Sequence, residues 1–71
     1  MYKIIFHYTD GSHDETYAGG SFVFSGEKYA MLNDRKPKLF KSEKVARNAA
    51  EKLLGSCVNT GVAYTIVEQE G

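Results

Sequence analysis

The chain has 71 residues, of which 42% are hydrophobic and 25% charged, and it contains a single cysteine, Cys57. This length predicts one small domain spanning residues 1–71, the composition argues against a disordered chain, and one cysteine excludes an internal disulfide and a cysteine-only metal site. Nine basic and nine acidic residues give a formal net charge of zero.

The first two strands are predicted to form a hairpin. Residues 2–9 (YKIIFHYT) alternate in the period of two that is typical of a strand rich in aromatic and β-branched residues. The Asp-Gly pair at 10–11 favours a two-residue type I′ turn, which places His7 opposite Asp14. Residues 13–18 then form the second strand, polar enough for a sheet edge.

Three shorter strands are predicted before the helix. The glycine pair at 19–20 breaks the pattern and is typical of a bulge or a corner of a sheet. Residues 21–25 and 28–32 follow as strands, and residues 38–40 as a short one next to a proline. By their alternation, most of the tyrosines and phenylalanines are expected in the core.

One amphipathic helix is predicted over about residues 43–54. Ser42 is its expected N-cap and Gly55 its expected C-terminal stop. Six apolar side chains form one stripe that is expected to face the sheet: Val45, Ala46, Ala49, Ala50, Leu53 and Leu54.

These elements predict an α+β fold. After the helix, residues 62–69 form the last strand. The expected architecture is a small antiparallel sheet, a meander of four to five strands plus the C-terminal strand, with the helix packed on one face.

No pattern of residues predicts a catalytic, cofactor or metal site. His7 and His13 are expected on opposite faces of the hairpin, and no third ligand has suitable spacing. Asp14 and Glu15 are adjacent in a strand and point apart, which disfavours a carboxylate pair for acid–base chemistry. The sequence therefore predicts a protein that is not an enzyme and needs no cofactor.

The charges are segregated along the chain. Residues 27–52 carry eight Lys or Arg and four Asp or Glu, a net of +4, and the remainder carries a net of −4. A connected basic surface is what phosphate binding requires. One hypothesis is therefore a nucleic-acid-binding domain that uses the basic segment 35–47: Arg35, Lys36, Lys38, Lys41, Lys44 and Arg47.

The stretch FKSEKVARNAA resembles the helix of the three-strand-plus-helix DNA readers of the AP2 and integrase arm-binding type. Phe40, Ser42, Ala46 and Ala49 fit the F-x-[ST]-x-x-x-A-x-x-A spacing of that helix. The resemblance covers about twenty-five residues and concerns helix packing. This chain lacks tryptophan and offers only Lys28 on the strand KYAML, so no base-reading role is transferred to it.

The leading hypothesis is a small non-catalytic protein-binding module. If the last strand pairs beside the first, five carboxylates are expected to form one acidic patch for a partner: Asp10, Asp14, Glu15, Glu68 and Glu70. Exposed tyrosines and the addition of a strand at a sheet edge are further means of contact. Compact domains of this size are common among phage and mobile-element accessory proteins, some of which block host nucleic-acid machinery by occupying its binding surfaces.

The expected location is the cytoplasm. The apolar run at the N-terminus is too short for a signal peptide, and no run approaches the length of a membrane span. Because a domain of this size has a small core and no disulfide, homodimerisation is a reasonable additional source of stability.

Overall fold

The structure, a computed structural model, describes residues 1–8 and 14–69. Its elements in chain order are β1 (Tyr2–His7), β2 (Asp14–Phe24), β3 (Glu27–Leu32), α1 (Glu43–Ser56) and β4 (Ala63–Glu68). The four strands form one antiparallel sheet in the order β3-β2-β1-β4, and α1 packs against β1 and β4. The predicted α+β fold is confirmed, with slightly fewer strands than expected.

The register of the central strands follows the prediction. His7 lies opposite Asp14, although the turn residues 10–11 lie outside the described part. β4 pairs with β1 over its whole length, from Tyr2 opposite Glu68 to His7 opposite Ala63. The first and last strands of the chain are therefore neighbours in the sheet, with β4 at its edge.

The predicted strands 13–18 and 21–25 are one strand that bends. Tyr17 lies opposite Leu32 and Ser21 opposite Ala30, so three β2 residues face a single β3 residue. The extra residues include Gly19 and Gly20, whose φ angles of 95° and 83° favour glycine. The predicted bulge is confirmed, and because pairing with β3 resumes beyond it, the strand count falls by one.

Residues 38–40 do not form the predicted short strand. Phe40 makes one isolated bridge with Tyr2, in which each N–H donates to the other's carbonyl oxygen at 2.8 Å. The Lys38 N–H donates instead to the Tyr17 carbonyl oxygen on β2. The segment thus fills the gap where β2 diverges from β1, and it divides its hydrogen bonds between two neighbours rather than forming a ladder with one.

The helix begins as predicted and ends later. Ser42 is the N-cap, since its Oγ accepts from the Val45 N–H at 3.2 Å. The predicted stop at Gly55 is wrong: α1 continues to Ser56, whose hydroxyl donates to the Lys52 carbonyl oxygen, and ends at Cys57. In the described residues no helix combines the length and the apolar character that crossing a membrane requires.

The core lies between α1 and the centre of the sheet. Ile4 and Phe6 of β1 are fully buried, and so are Ala46 and Ala50 of α1. Small alanine side chains allow the helix axis to lie close to the strands. Val45 does not join them: it is 52% exposed, because its side chain lies at the margin of the apolar stripe and beyond the edge of the contact.

The outer edge of β3 is covered by the loop that follows α1. The Asn59 side-chain amide donates to the Ala30 carbonyl oxygen at 2.9 Å, and its Oδ1 accepts from the Ala30 N–H at 2.7 Å. The Val58 N–H donates to the Lys28 carbonyl oxygen. On the opposite side of the sheet, β4 has no further strand beside it among the described residues.

Candidate binding surfaces

The end of the β2–β3 hairpin exposes an apolar face. Phe22, Phe24, Tyr29 and Met31 share the side of the hairpin that points away from α1, and we call these four residues the aromatic hairpin. Phe22 and Tyr29 stack with ring centroids 5.3 Å apart. Phe22, Phe24 and Met31 are 47%, 66% and 45% exposed. These phenylalanines are therefore the exposed minority of the aromatic side chains.

The exposed apolar area is large for a chain of this length. Val23, on the other face of the same hairpin, is 70% exposed. With about 200 Å² for a fully exposed large side chain, Phe22, Phe24 and Met31 leave on the order of 300 Å² of apolar surface in water on one face of the hairpin. Contiguous patches of about 300–600 Å² on monomeric proteins are frequently functional.

The predicted basic residues lie on several elements of the fold. Arg35 and Lys36 lie in the turn after β3, and Lys41 and Lys44 lie at the start of α1. Arg47 forms an ion pair with Glu43 one helical turn away at 2.5 Å. Lys38 turns toward the bulge, where its stem packs on Gly19. The cations of the segment 35–47 are thus distributed over the turn after β3, the segment before α1 and the helix itself.

The predicted acidic residues are also separated. Asp14 lies opposite His7 at one end of β1, whereas Glu68 lies opposite Tyr2 at the other end. Five residues of strand separate these positions, about 17 Å. Asp14 and Glu15 lie on opposite faces of β2, as expected of neighbours. Asp10 and Glu70 lie outside the described residues, and the described members do not form a single patch.

His7 connects three strands on the open face of the sheet. Its Nδ1 lies 2.9 Å from an Asp14 carboxylate oxygen, and its Nε2 lies 2.6 Å from the Thr65 hydroxyl. The order of these groups is that of a carboxylate–histidine–hydroxyl triad, which sequence reasoning missed because Thr65 is distant in the chain. All three lie on an exposed strand surface, so the arrangement acts as a hydrogen-bond ladder from β2 to β4.

Tyr8 and Glu15 interact on the opposite face. The Tyr8 hydroxyl is 3.2 Å from a Glu15 carboxylate oxygen and is also hydrogen-bonded to the Asn59 carbonyl oxygen. Burial, the nearby Glu15 charge and the hydrogen bond to Glu15 raise the pKa of Tyr8 from 10.0 to about 12. The contacts connect the end of β1 to the loop that covers β3.

The raised pKa of Tyr8 predicts a loss of stability in alkali. Between pH ~10 and ~12 the unfolded chain has released a proton that the folded chain retains, so the free energy of unfolding falls with rising pH across this window and is unaffected below it. We expect Tyr8→Phe to reduce this slope. Urea unfolding of both proteins at pH values from about 9 to about 12 measures it, and identical slopes would contradict the assignment.

No three potential metal ligands of the His, Cys, Asp and Glu types come together within residues 1–8 and 14–69. Cys57 is buried just after the end of α1, with its thiol 3.9 Å from the Ser56 hydroxyl. Its role is structural, because a thiol held in the core is not accessible to reagents.

Comparison of the chain with protein-family models, with curated proteins and with solved structures finds no match. The function is therefore inferred from the geometry of these surfaces.

Proposed function

We propose that this protein is a small non-catalytic binding module that attaches to a larger protein through the aromatic hairpin. One observation carries the proposal: Phe22, Phe24 and Met31 remain about half exposed or more in a fold that buries few large side chains completely. Exposed apolar side chains do not contribute the free energy that is gained when apolar surface is removed from water. Binding in an apolar groove of a partner would bury them and provide that free energy.

The aromatic hairpin has the composition of an interface centre. Aromatic residues and methionine are enriched in protein–protein contacts. The Phe22–Tyr29 stack also holds two of these side chains in place before binding, so little side-chain entropy is lost on association. The partner surface that fits this face is apolar at its centre and polar at its rim.

The charges near the aromatic hairpin favour a protein over a nucleic acid. Glu27 lies at the tip, with a carboxylate oxygen 3.3 Å from the Tyr29 hydroxyl. Lys28 alternates to the other face. A platform for stacking bases needs cations beside the rings to bind the phosphates, whereas here a carboxylate lies beside them. The partner is therefore expected to be a protein, and nucleic-acid binding is the outcome that would refute the proposal.

Phe24→Ser tests the contact directly. The tagged protein is used to capture partners from its native cells, and the purified partner is then titrated with the wild type and the variant. We expect the variant to bind at least about thirtyfold more weakly, the effect of losing one central aromatic anchor. Val62→Ser is the matched control, because Val62 is 62% exposed and is not one of the four residues of the aromatic hairpin, so its loss should change Kd less than threefold.

Three results would contradict the proposal. The first is a partner that binds Phe24→Ser as well as the wild type. The second is recovery of nucleic acid alone, with affinity that falls steeply with salt. The third is self-association as the sole interaction, seen as sedimentation that depends on concentration in the wild type and not in Phe24→Ser.

A further inference from the structure

A pocket lies on the side of the sheet that faces α1, between the β2 bulge and the second half of the helix. It encloses about 490 Å³, within the range of about 300–1,000 Å³ that is usual for small-molecule sites. Phe40, Ala49 and Leu53 provide an apolar wall, and the glycine pair 19–20 also lines the space. We call it the lysine pocket for the cations around it.

Three lysines from separate elements line this pocket. Lys28 comes from β3, Lys38 from the segment before α1, and Lys52 from the helix itself. No aspartate or glutamate lines it with them, and none of the three forms an ion pair with a residue in the described ranges 1–8 and 14–69. Like charges repel in the empty protein, and a bound oxyanion would convert that repulsion into charge-assisted hydrogen bonds.

Tyr17 adds a neutral donor. Its hydroxyl oxygen accepts a hydrogen bond from the Gly20 N–H at 2.8 Å, which fixes the phenol at the bulge. No other hydrogen bond of this hydroxyl is formed with the described residues. The hydroxyl proton is thus available to an acceptor in the pocket, which Tyr17 itself lines.

The bulge also positions one of the cations. A side chain at Gly19 would place its Cβ 3.3 Å from Lys38 Cδ. The absence of a side chain at Gly19 therefore lets the Lys38 stem lie directly on the β2 backbone. This packing and the backbone hydrogen bond from the Lys38 N–H to the Tyr17 carbonyl oxygen hold the Lys38 stem at the pocket.

We propose that the lysine pocket binds a small organic oxyanion. A phosphate or carboxylate group would accept hydrogen bonds from the three lysines and the Tyr17 hydroxyl, and an apolar body of ring size would pack on Phe40 and Leu53. This site lies on the opposite side of the sheet from the aromatic hairpin, so the inference does not depend on the proposed protein partner.

Titration followed by amide NMR tests the pocket with four probes. Phenyl phosphate attaches a phosphate group to a phenyl ring, and benzoate attaches a carboxylate group to the same kind of ring. Phenol is the neutral analogue, and inorganic phosphate lacks the ring. We expect saturable shifts at Gly19 and Gly20, with a Kd of about 1 mM or tighter for at least one ring-bearing anion. Phenol and inorganic phosphate are each expected to bind more weakly than that anion.

Two variants link the binding to the lysines. Lys38→Met and Lys52→Met keep most of the apolar stem and remove the charge, and each is expected to weaken binding about tenfold. Lys44→Met makes the same change on α1 at a position that does not line the pocket, and it should have less than a twofold effect.

The outcomes distinguish specific binding in the lysine pocket from non-specific electrostatic attraction of anions to the protein. Preference for phenyl phosphate or for benzoate identifies the anionic group and supports the proposal in either case. Equal binding of phenol, an equal loss in Lys44→Met, or no saturable shift at Gly19 and Gly20 with any probe would overturn it. Unchanged melting temperatures of the variants confirm that lost binding is not lost folding.

Discussion

Replacing Gly61 with alanine is expected to remove much of the stability of this fold. Gly61 has a φ of 75°, and an added Cβ would lie 2.2 Å from the His7 carbonyl oxygen. That oxygen accepts from the Val62 N–H at 3.0 Å, where the β1–β4 ladder begins. The left-handed conformation costs alanine about 1 kcal/mol, and relieving an overlap with backbone moves the ladder, so we expect a total of about 4 kcal/mol.

The loss expected for Gly61→Ala is a large fraction of the total free energy of unfolding. A domain of this length has a free energy of unfolding of roughly 4–10 kcal/mol. Gly26→Ala provides the matched control, because Gly26 also has a positive φ, 79°, but no atom lies within 4 Å of an added Cβ. We expect it to cost about 1 kcal/mol. Urea unfolding of both variants measures the difference, and equal midpoints would show that the contact with His7 is unimportant.

Asn59→Ala is expected to destabilise the protein by about 2–4 kcal/mol. The asparagine side chain makes two hydrogen bonds to the backbone of Ala30, a residue that is almost completely buried. Its removal loses both bonds and leaves a buried N–H and a buried carbonyl without partners, which is costlier than losing bonds in water.

The control for this variant is Asn48→Ala. Asn48 is exposed in the middle of α1, where alanine has the higher helix propensity, so this change should be neutral or slightly stabilising. Hydrogen exchange at the Ala30 amide gives a second readout, because Asn59→Ala should speed it at this position. An Asn59→Ala protein with unchanged stability and unchanged exchange at Ala30 would contradict the assigned role.

Local chemistry made much of the fold predictable. The alternation in residues 2–9 and the Asp-Gly pair indicated the register that places His7 opposite Asp14. A serine before an amphipathic stripe indicated the N-cap at Ser42. Each of these features depends on side chains within a few residues of one another, and that is the range over which sequence patterns act.

The candidate surfaces depend on distant residues and could not be predicted in this way. Phe22 and Phe24 alternate as a half-buried strand does, and no local signal indicates that the described part of the chain leaves them exposed. Likewise, Lys28, Lys38 and Lys52 meet only because β2 bends at its bulge and brings the hairpin toward α1. The sequence gives the positions of the lysines, but the fold determines which of them line the same pocket.

The covered edge of β3 limits how copies of this protein can assemble. In a filament built by strand addition, each copy pairs one sheet edge with the preceding copy and the other edge with the next copy, so both edges must be free. Here Asn59 and Val58 occupy the outer side of β3 at Ala30 and Lys28, whereas the outer side of β4 has no strand beside it among the described residues. Two copies that met through β4 would form an eight-stranded sheet with β3 at each end. The loop residues on β3 would hinder the addition of further copies at those ends, and this disfavours growth into a fibre.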